Sequence, residues 1–283
     1  MRVSTPPSLQ DQDIPTVLGR LRVRVAGNGP AILFWPSLLM EGRMWLAQAQ
    51  HFAPRHRVIL IDSPGHGASQ PLTRLFTFEQ CAQCIVQILD ALGIERAHHV
   101  GNSWGGMIGG TFAALHQQRV GAAVLMNATG SACGWRQQLE FRLLGAIVRR
   151  IGFRGPFVEK AVAAFVGPTT ARERPEVAAT IREALARIDP RSVYWAVRSV
   201  VPARPDQRAL LTRIRTPVLV VAGEEDPTFP VAETRAMADA IPDSEFICMP
   251  ATGHLAALER PDAVNALIEG FLTRYNATTD TAR

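Results

Sequence analysis

Val100-Gly101-Asn102-Ser103-Trp104-Gly105-Gly106 decides the reading of this 283-residue chain. An apolar stretch runs into Gly-x-Ser-x-Gly, and small residues follow at helical positions. This is the form of a nucleophile elbow, a turn from strand to helix with a serine at its tip. Such a turn is so tight that the residues two before and two after the serine must be nearly free of side chain. Gly101 and Gly105 meet that need, and Gly106 lets the helix start close to its neighbours. The turn should strain Ser103 and direct its oxygen into a cleft, with a helix N-terminus behind it. A motif this short also arises in ordinary glycine turns, so the rest of the chain must choose between the two.

Composition sets the frame. Apolar residues make up 47% of the chain, enough for a full core in one large domain or one domain with an insertion. There is no run of 18 or more uncharged apolar residues, so no membrane span is expected. Residues 1–10 carry one Arg and no apolar core, unlike a signal peptide, and a cytoplasmic protein is expected. The net charge is +5, with Lys160 the only lysine. Arginines cluster between Arg136 and Arg154, where a solvated helix face is the plainer reading and attraction of an anionic substrate the sharper one. No basic stripe interleaved with aromatics suggests nucleic acid. Four cysteines in a chain this long make no disulfide framework. Cys81 and Cys84 fall inside a helical pattern and read as buried, and Cys133 and Cys248 as single core or pocket-lining thiols. No metal ligand set is expected.

Along the chain, residues 1–13 read as a loose arm. Residues 17–26 alternate apolar residues with Arg, the period of a half-exposed strand. The turn signal Asn28-Gly29 and the apolar run 31–35 then suggest a hairpin. Strands follow at 57–61, 97–100 and 122–126, separated by helices at 44–52, 77–92 (capped by Thr77 with Gln80) and 107–117. That order implies a parallel sheet with helices on both faces. From 131 to 211 only helical segments occur, at 135–151, 156–166, 173–188 and 191–201. Strands return at 217–222 and 245–249, with helices at 231–240 and 261–274 and a polar tail from 276. The division is a core of 1–130 and 212–283 with a helical cap of 131–211.

A serine hydroxyl is a weak nucleophile at neutral pH and needs a base held by a carboxylate. Of the seven histidines, His51, His56 and His116 read as surface residues, His98 and His99 lie in a strand, and His66 has a loop role. His254 follows the last strand, where strand C-terminal loops form the cleft of such a sheet. The position after the strand ending at Met126 holds Asn127 and no carboxylate. Glu224, Glu225 and Asp226 follow the strand at 217–222, and spacing from Gly223 selects Asp226. An oxyanion hole would use the backbone N–H of Trp104 and of Leu38, counted back from Trp45.

These residues resemble the α/β-hydrolase superfamily over about 17–130 and 212–274. The marks are Asp62-Ser63-Pro64-Gly65-His66-Gly67-Ala68-Ser69, the elbow, Gly223-Glu224-Glu225-Asp226 and Gly253-His254-Leu255. The resemblance implies an α/β fold with a mostly parallel, doubly wound sheet and an inserted helical cap. Ser37-Leu38 before Trp45, and His254-Leu255 followed by Glu259-Arg260-Pro261, are similar to the 3-oxoadipate enol-lactonase group. Gly101-Asn102-Ser103 is more similar to the meta-cleavage C–C hydrolases, which usually carry Trp where Leu255 stands.

The expectation is a cofactor-free hydrolase of a small-molecule ester or lactone, with Ser103, Asp226 and His254 as a catalytic triad. The alternative activity is C–C bond hydrolysis, which Asn102 and the arginine cluster would support. A ligand receptor on the same fold is the non-enzymatic alternative. Ser37, Asn102, Trp135, Trp195 and Leu255 are candidate substrate contacts. Phe141, Phe153, Phe157 and Phe165 are expected to pack the cap. A monomer or homodimer is expected.

Overall fold

The computed structural model describes residues 8–152 and 154–280. Among these residues, eight strands form one sheet: β1 (Gln10–Thr16), β2 (Gly19–Ala26), β3 (Ala31–Trp35), β4 (Arg57–Ile61), β5 (Ala97–Asn102), β6 (Val120–Met126), β7 (Val218–Gly223) and β8 (Glu245–Met249). Their spatial order is β1-β2-β4-β3-β5-β6-β7-β8. The β1–β2 and β2–β4 pairs are antiparallel and all others parallel.

Helices α1 (Leu46–Phe52), α2 (Phe78–Ala91) and α3 (Trp104–Leu115) connect the first parallel strands. Between β6 and β7 lie α4 (Trp135–Ile151), α5 (Pro156–Phe165), α6 (Pro168–Glu173), α7 (Pro175–Ala186), α8 (Pro190–Val200) and the short α9 (Arg208–Leu211). The chain ends with α10 (Val231–Asp239), α11 (Ala256–Glu259) and α12 (Pro261–Asp280). A strand covered on both faces reads as an unbroken apolar run, because successive side chains point to opposite layers. In β3, Leu33 and Trp35 join the layer of α2 and α3, while Ile32 and Phe34 join that of α1 and α12.

Four local expectations change. β2 pairs with β1 and β4, whereas β3 lies between β4 and β5. The 31–35 run is buried on both faces and takes two parallel neighbours, so no hairpin forms there. Gly27, at φ +74°, instead carries the chain across residues 53–56, where an added Cβ would stand 2.2 Å from the Ala53 and His56 carbonyl oxygens. Within the segment read as a loose arm, residues 10–13 belong to β1, where Asp11 and Asp13 accept 2.6 and 2.7 Å bonds from Arg22. α12 likewise runs on to Asp280, through part of the polar tail that the helix at 261–274 was expected to stop short of. Cys81, Cys84 and Cys133 are buried, but Cys248 is exposed on the edge strand β8.

The junction of β5 and α3 has no slack. A Cβ on Gly101 would stand 2.1 Å from the Gly105 carbonyl oxygen, and one on Gly105 would stand 2.2 Å from that of Trp35. Backbone obstructs both, so no rotamer change can relieve the clash. Gly101→Ala and Gly105→Ala should each lower stability by about 3 kcal/mol or more, as overpacking against fixed groups does; urea unfolding measures it.

His66, His98 and His99 are buried, and desolvation pushes each down from 6.5 to about 4. In the unfolded chain they bind protons at the ordinary value, so between pH 6.5 and 4 the unfolded state holds more protons. Their stabilising effect is complete above pH 6.5 and is lost as pH falls to about 4. At roughly 1.4 kcal/mol per pH unit for each residue, the urea midpoint should fall steeply over that window. A His99→Phe variant should show a shallower fall.

Candidate active site

Ser103 sits at φ +56°, ψ −114°, directly before α3. Its N–H donates to the Met126 carbonyl at 2.8 Å, tying the turn to β6, and its own carbonyl accepts from Met107 N–H at 3.0 Å. Ser103 lines a cavity of about 200 Å³ that lies between the strand ends and the helices after β6. Trp104 opens α3, so its N–H belongs to a first turn that has no intrahelical acceptor. The Leu38 N–H has no acceptor among the described residues, and its side chain lines the cavity.

His66 braces the Leu38 loop. Leu39, at φ +67°, donates its N–H to His66 Nε2 at 3.2 Å, and His66 Nδ1 lies 3.0 Å from the Pro64 carbonyl. The ring is therefore neutral, with its proton on Nδ1. Asp62 fixes the far end of the loop. It accepts from Gly42 N–H at 2.9 Å while paired with Arg24 at 2.7 and 3.0 Å. Gly67 is required beside it, because a Cβ there would lie 2.3 Å from Asp62 Oδ2.

His254 is fully buried, and its Nδ1 lies 2.8 and 3.0 Å from the two Asp226 oxygens. Asp226 Oδ1 also accepts from Thr228 N–H at 2.7 Å and Phe229 N–H at 3.0 Å. The carboxylate thus assigns the ring proton to Nδ1 and leaves Nε2 as an acceptor. That Nε2 makes no hydrogen bond among the described residues, and His254 lines the same cavity as Ser103. Phe165 stacks on the ring at 5.6 Å and Phe229 packs beside it at 5.5 Å. The three successive carboxylates diverge. Glu224 accepts from Ala251 N–H at 3.2 Å, Glu225 binds Thr169 N–H at 2.8 Å and its hydroxyl at 2.6 Å, and Asp226 alone meets the histidine. A neutral imidazole held this way can take a proton from a hydroxyl brought to its free nitrogen.

Three further side chains hold the His254 loop by its backbone. Asn127, at φ +49°, donates to the Gly253 and His254 carbonyls at 2.6 and 2.8 Å and accepts from Gly223 N–H at 3.1 Å. Asn102 donates to the same His254 carbonyl at 2.9 Å. The buried Glu259 carboxylate accepts from Gly167, Gly253 and Leu255 N–H at 3.2, 2.9 and 3.0 Å. The sequence signal for Asn127 is its place after β6, at a strand end where a carboxylate could stand and an amide does.

The five expected substrate contacts fall elsewhere. Ser37 and Leu255 are fully buried and do not line the cavity, and Asn102 donates its amide to the His254 carbonyl. Trp135 is 71% exposed at the start of α4. Trp195 is half-buried beside Arg149, and Tyr194 lines the cavity in its place. On α8 the lining positions are Pro190, Val193, Tyr194, Val197 and Val200, a helical stripe that leaves Trp195 to one side. Phe141, Phe157 and Phe165 line the cavity as well. Phe153 lies outside the described residues. Among those residues, no group of three or more His, Cys, Asp or Glu could hold a metal ion.

Glu259→Gln removes the charge from three buried bonds at once. It should lower stability by about 2–4 kcal/mol and reduce kcat on any substrate that needs His254. Asn127→Leu should act in the same direction, while Glu176→Gln on the exposed face of α7 should do neither. Urea unfolding and steady-state kinetics of the three variants check this.

A family model described as the alpha/beta hydrolase fold matches residues 30–261. The chain is 28% identical over 250 residues to 3-oxoadipate enol-lactonase 2 of Acinetobacter baylyi, covering 87% of this chain and 90% of that one. It is 31% identical over 256 residues to the 2-hydroxy-6-oxononadienedioate/2-hydroxy-6-oxononatrienedioate hydrolase of Paraburkholderia phymatum, covering 88% and 86%. Among solved structures, a thermophilic esterase from Thermogutta terrifontis with malate bound superposes with a TM-score of 0.87 at 28% identity, covering 94% and 99% of the two chains. With this match and the sheet order above, the chain belongs to the alpha/beta hydrolase fold family.

Proposed function

We propose that this α/β hydrolase is a serine hydrolase of small-molecule carboxylic esters or lactones. The observation that carries the reading is the buried Asp226–His254 pair at 2.8 Å, whose free Nε2 shares a cavity with Ser103. In the reaction, His254 Nε2 takes the Ser103 proton as Oγ attacks the carbonyl carbon. Asp226 holds the imidazole and stabilises the cation that forms. The N–H groups of Trp104 and Leu38 receive the developing oxyanion, where one donor is worth about 3–4 kcal/mol in the transition state. His254 then gives its proton to the leaving oxygen, and an acyl group remains on Ser103. Water, deprotonated by His254, attacks the acyl carbon and releases the acid. No step calls for a cofactor.

The relatives' names support both ester or lactone chemistry and hydrolysis of a ring-fission dioate. Two features that favoured C–C hydrolysis have other employment here. The Asn102 amide is bonded to His254, and Arg136, Arg142, Arg149, Arg150 and Arg154 are exposed. Ester or lactone hydrolysis is therefore preferred. Turnover also separates an enzyme from a ligand receptor on the same fold.

Three variants test the assignment with p-nitrophenyl butyrate. Ser103→Ala should lose roughly a thousandfold or more in kcat/KM with the fold retained by circular dichroism. Asp226→Asn should fall at least about a hundredfold below Glu225→Gln. Near-wild-type activity in Ser103→Ala, or a larger loss in Glu225→Gln, would contradict the roles given.

A further inference from the structure

Arg204 follows α8 and lines the cavity that holds Ser103 and His254. The residue is only 7% exposed. Its Nε donates to the Ser131 carbonyl at 2.8 Å, which fixes the guanidinium plane. Its face lies 5.7 Å from the Phe229 ring, and Phe229 in turn touches the His254 ring at 5.5 Å. Among the described residues, no carboxylate reaches it within ion-pair distance; Glu233 acts on it only through space, as does the Cys133 thiol. Burial pushes the guanidinium down from its ordinary value, yet an arginine stays charged in a protein.

A buried charge without a counter-ion is costly unless something supplies one. The rest of the wall sharpens the contrast. Apart from Ser103, Thr228 and His254, it is made almost wholly of apolar side chains such as Leu38, Met107, Val148 and Phe165. Lys160, the other cation there, is 62% exposed and already paired with Glu140 at 2.7 Å. The arginines of α4 face solvent. The charge that a bound molecule meets inside is that of Arg204.

We propose that Arg204 is a carboxylate-binding residue of this cavity, selecting esters or lactones with an apolar body and one free carboxylate beyond the scissile group. The inference rests on the hydrolase reading above and adds the substrate class. The two terminal nitrogens of Arg204 offer the planar fork that a carboxylate accepts. An apolar cavity alone would discriminate against such a substrate, because the carboxylate would be desolvated with nothing in return. The sign of the preference therefore separates the two cases.

The experiment compares the mono-p-nitrophenyl esters of glutarate, adipate and pimelate with p-nitrophenyl hexanoate, a neutral ester of similar length. The wild type should favour at least one of the three carboxylate esters by roughly 10- to 100-fold in kcat/KM, the range of a charge-assisted hydrogen bond. Arg204→Met should collapse that ratio to one or below, and Arg204→Lys should keep part of it. Turnover of hexanoate with no preference for any carboxylate ester overturns the role of Arg204 and leaves the hydrolase reading standing. The same holds if Arg204→Met leaves the ratio unmoved. Failure to turn over any of the four esters overturns both. The wild-type ratio does not depend on how any variant folds.

Discussion

Ser103 occupies a backbone conformation, φ +56° and ψ −114°, that a residue with a side chain seldom adopts. The surrounding structure leaves it no alternative. Its N–H is bonded to β6, the next turn of α3 is bonded to its carbonyl, and Gly101 and Gly105 lie against backbone on either side. The strain places Oγ at the cavity and leaves the first N–H of α3 free at the same point. That arrangement depends on β5 being a central strand, bonded to β3 and β6 over its length. The sheet, the elbow and the exposure of the serine are one constraint seen at three scales.

Around it the structure invests in backbone rather than in side-chain contacts with Ser103. The His254 loop is held by Asn102, Asn127 and Glu259, and the Leu38 loop by His66 and Asp62. Glu259 also grips Gly167, and His254 N–H donates to the Phe165 carbonyl at 3.1 Å. The base of the helical insertion is thereby bonded to the loop that carries the histidine. Preorganisation of this kind keeps acceptors and donors aimed before any substrate arrives.

What could be read from the sequence follows from how local each constraint is. The elbow, the cap of α2 at Thr77 and the Asp226 spacing each sit within a few residues, so their chemistry shows in the letters. Strand pairing does not: β2 meets β4 across an intervening strand in sequence, and the apparent hairpin misleads. Asn127 and Glu259 act through backbone bonds to residues 126 and 92 positions away, and no pattern in the chain announces such a bond. Trp195 and Tyr194 are neighbours on one helix. Which of them faces the cavity depends on how α8 is rotated against the core, which packing decides. Arg204 is hidden in the sequence for a related reason. As one arginine in a chain rich in them, its distinction is burial without a counter-ion, and burial is not written in the residue type.

Covalent labelling tests whether Ser103 is an activated nucleophile without assuming a substrate. The protein is treated with a fluorophosphonate at neutral pH, and the adduct is located by intact mass and peptide mapping. The expected result is one adduct per chain, on Ser103, formed far more slowly in His254→Ala. No adduct, or an adduct on another residue with Ser103 unmodified, would contradict it.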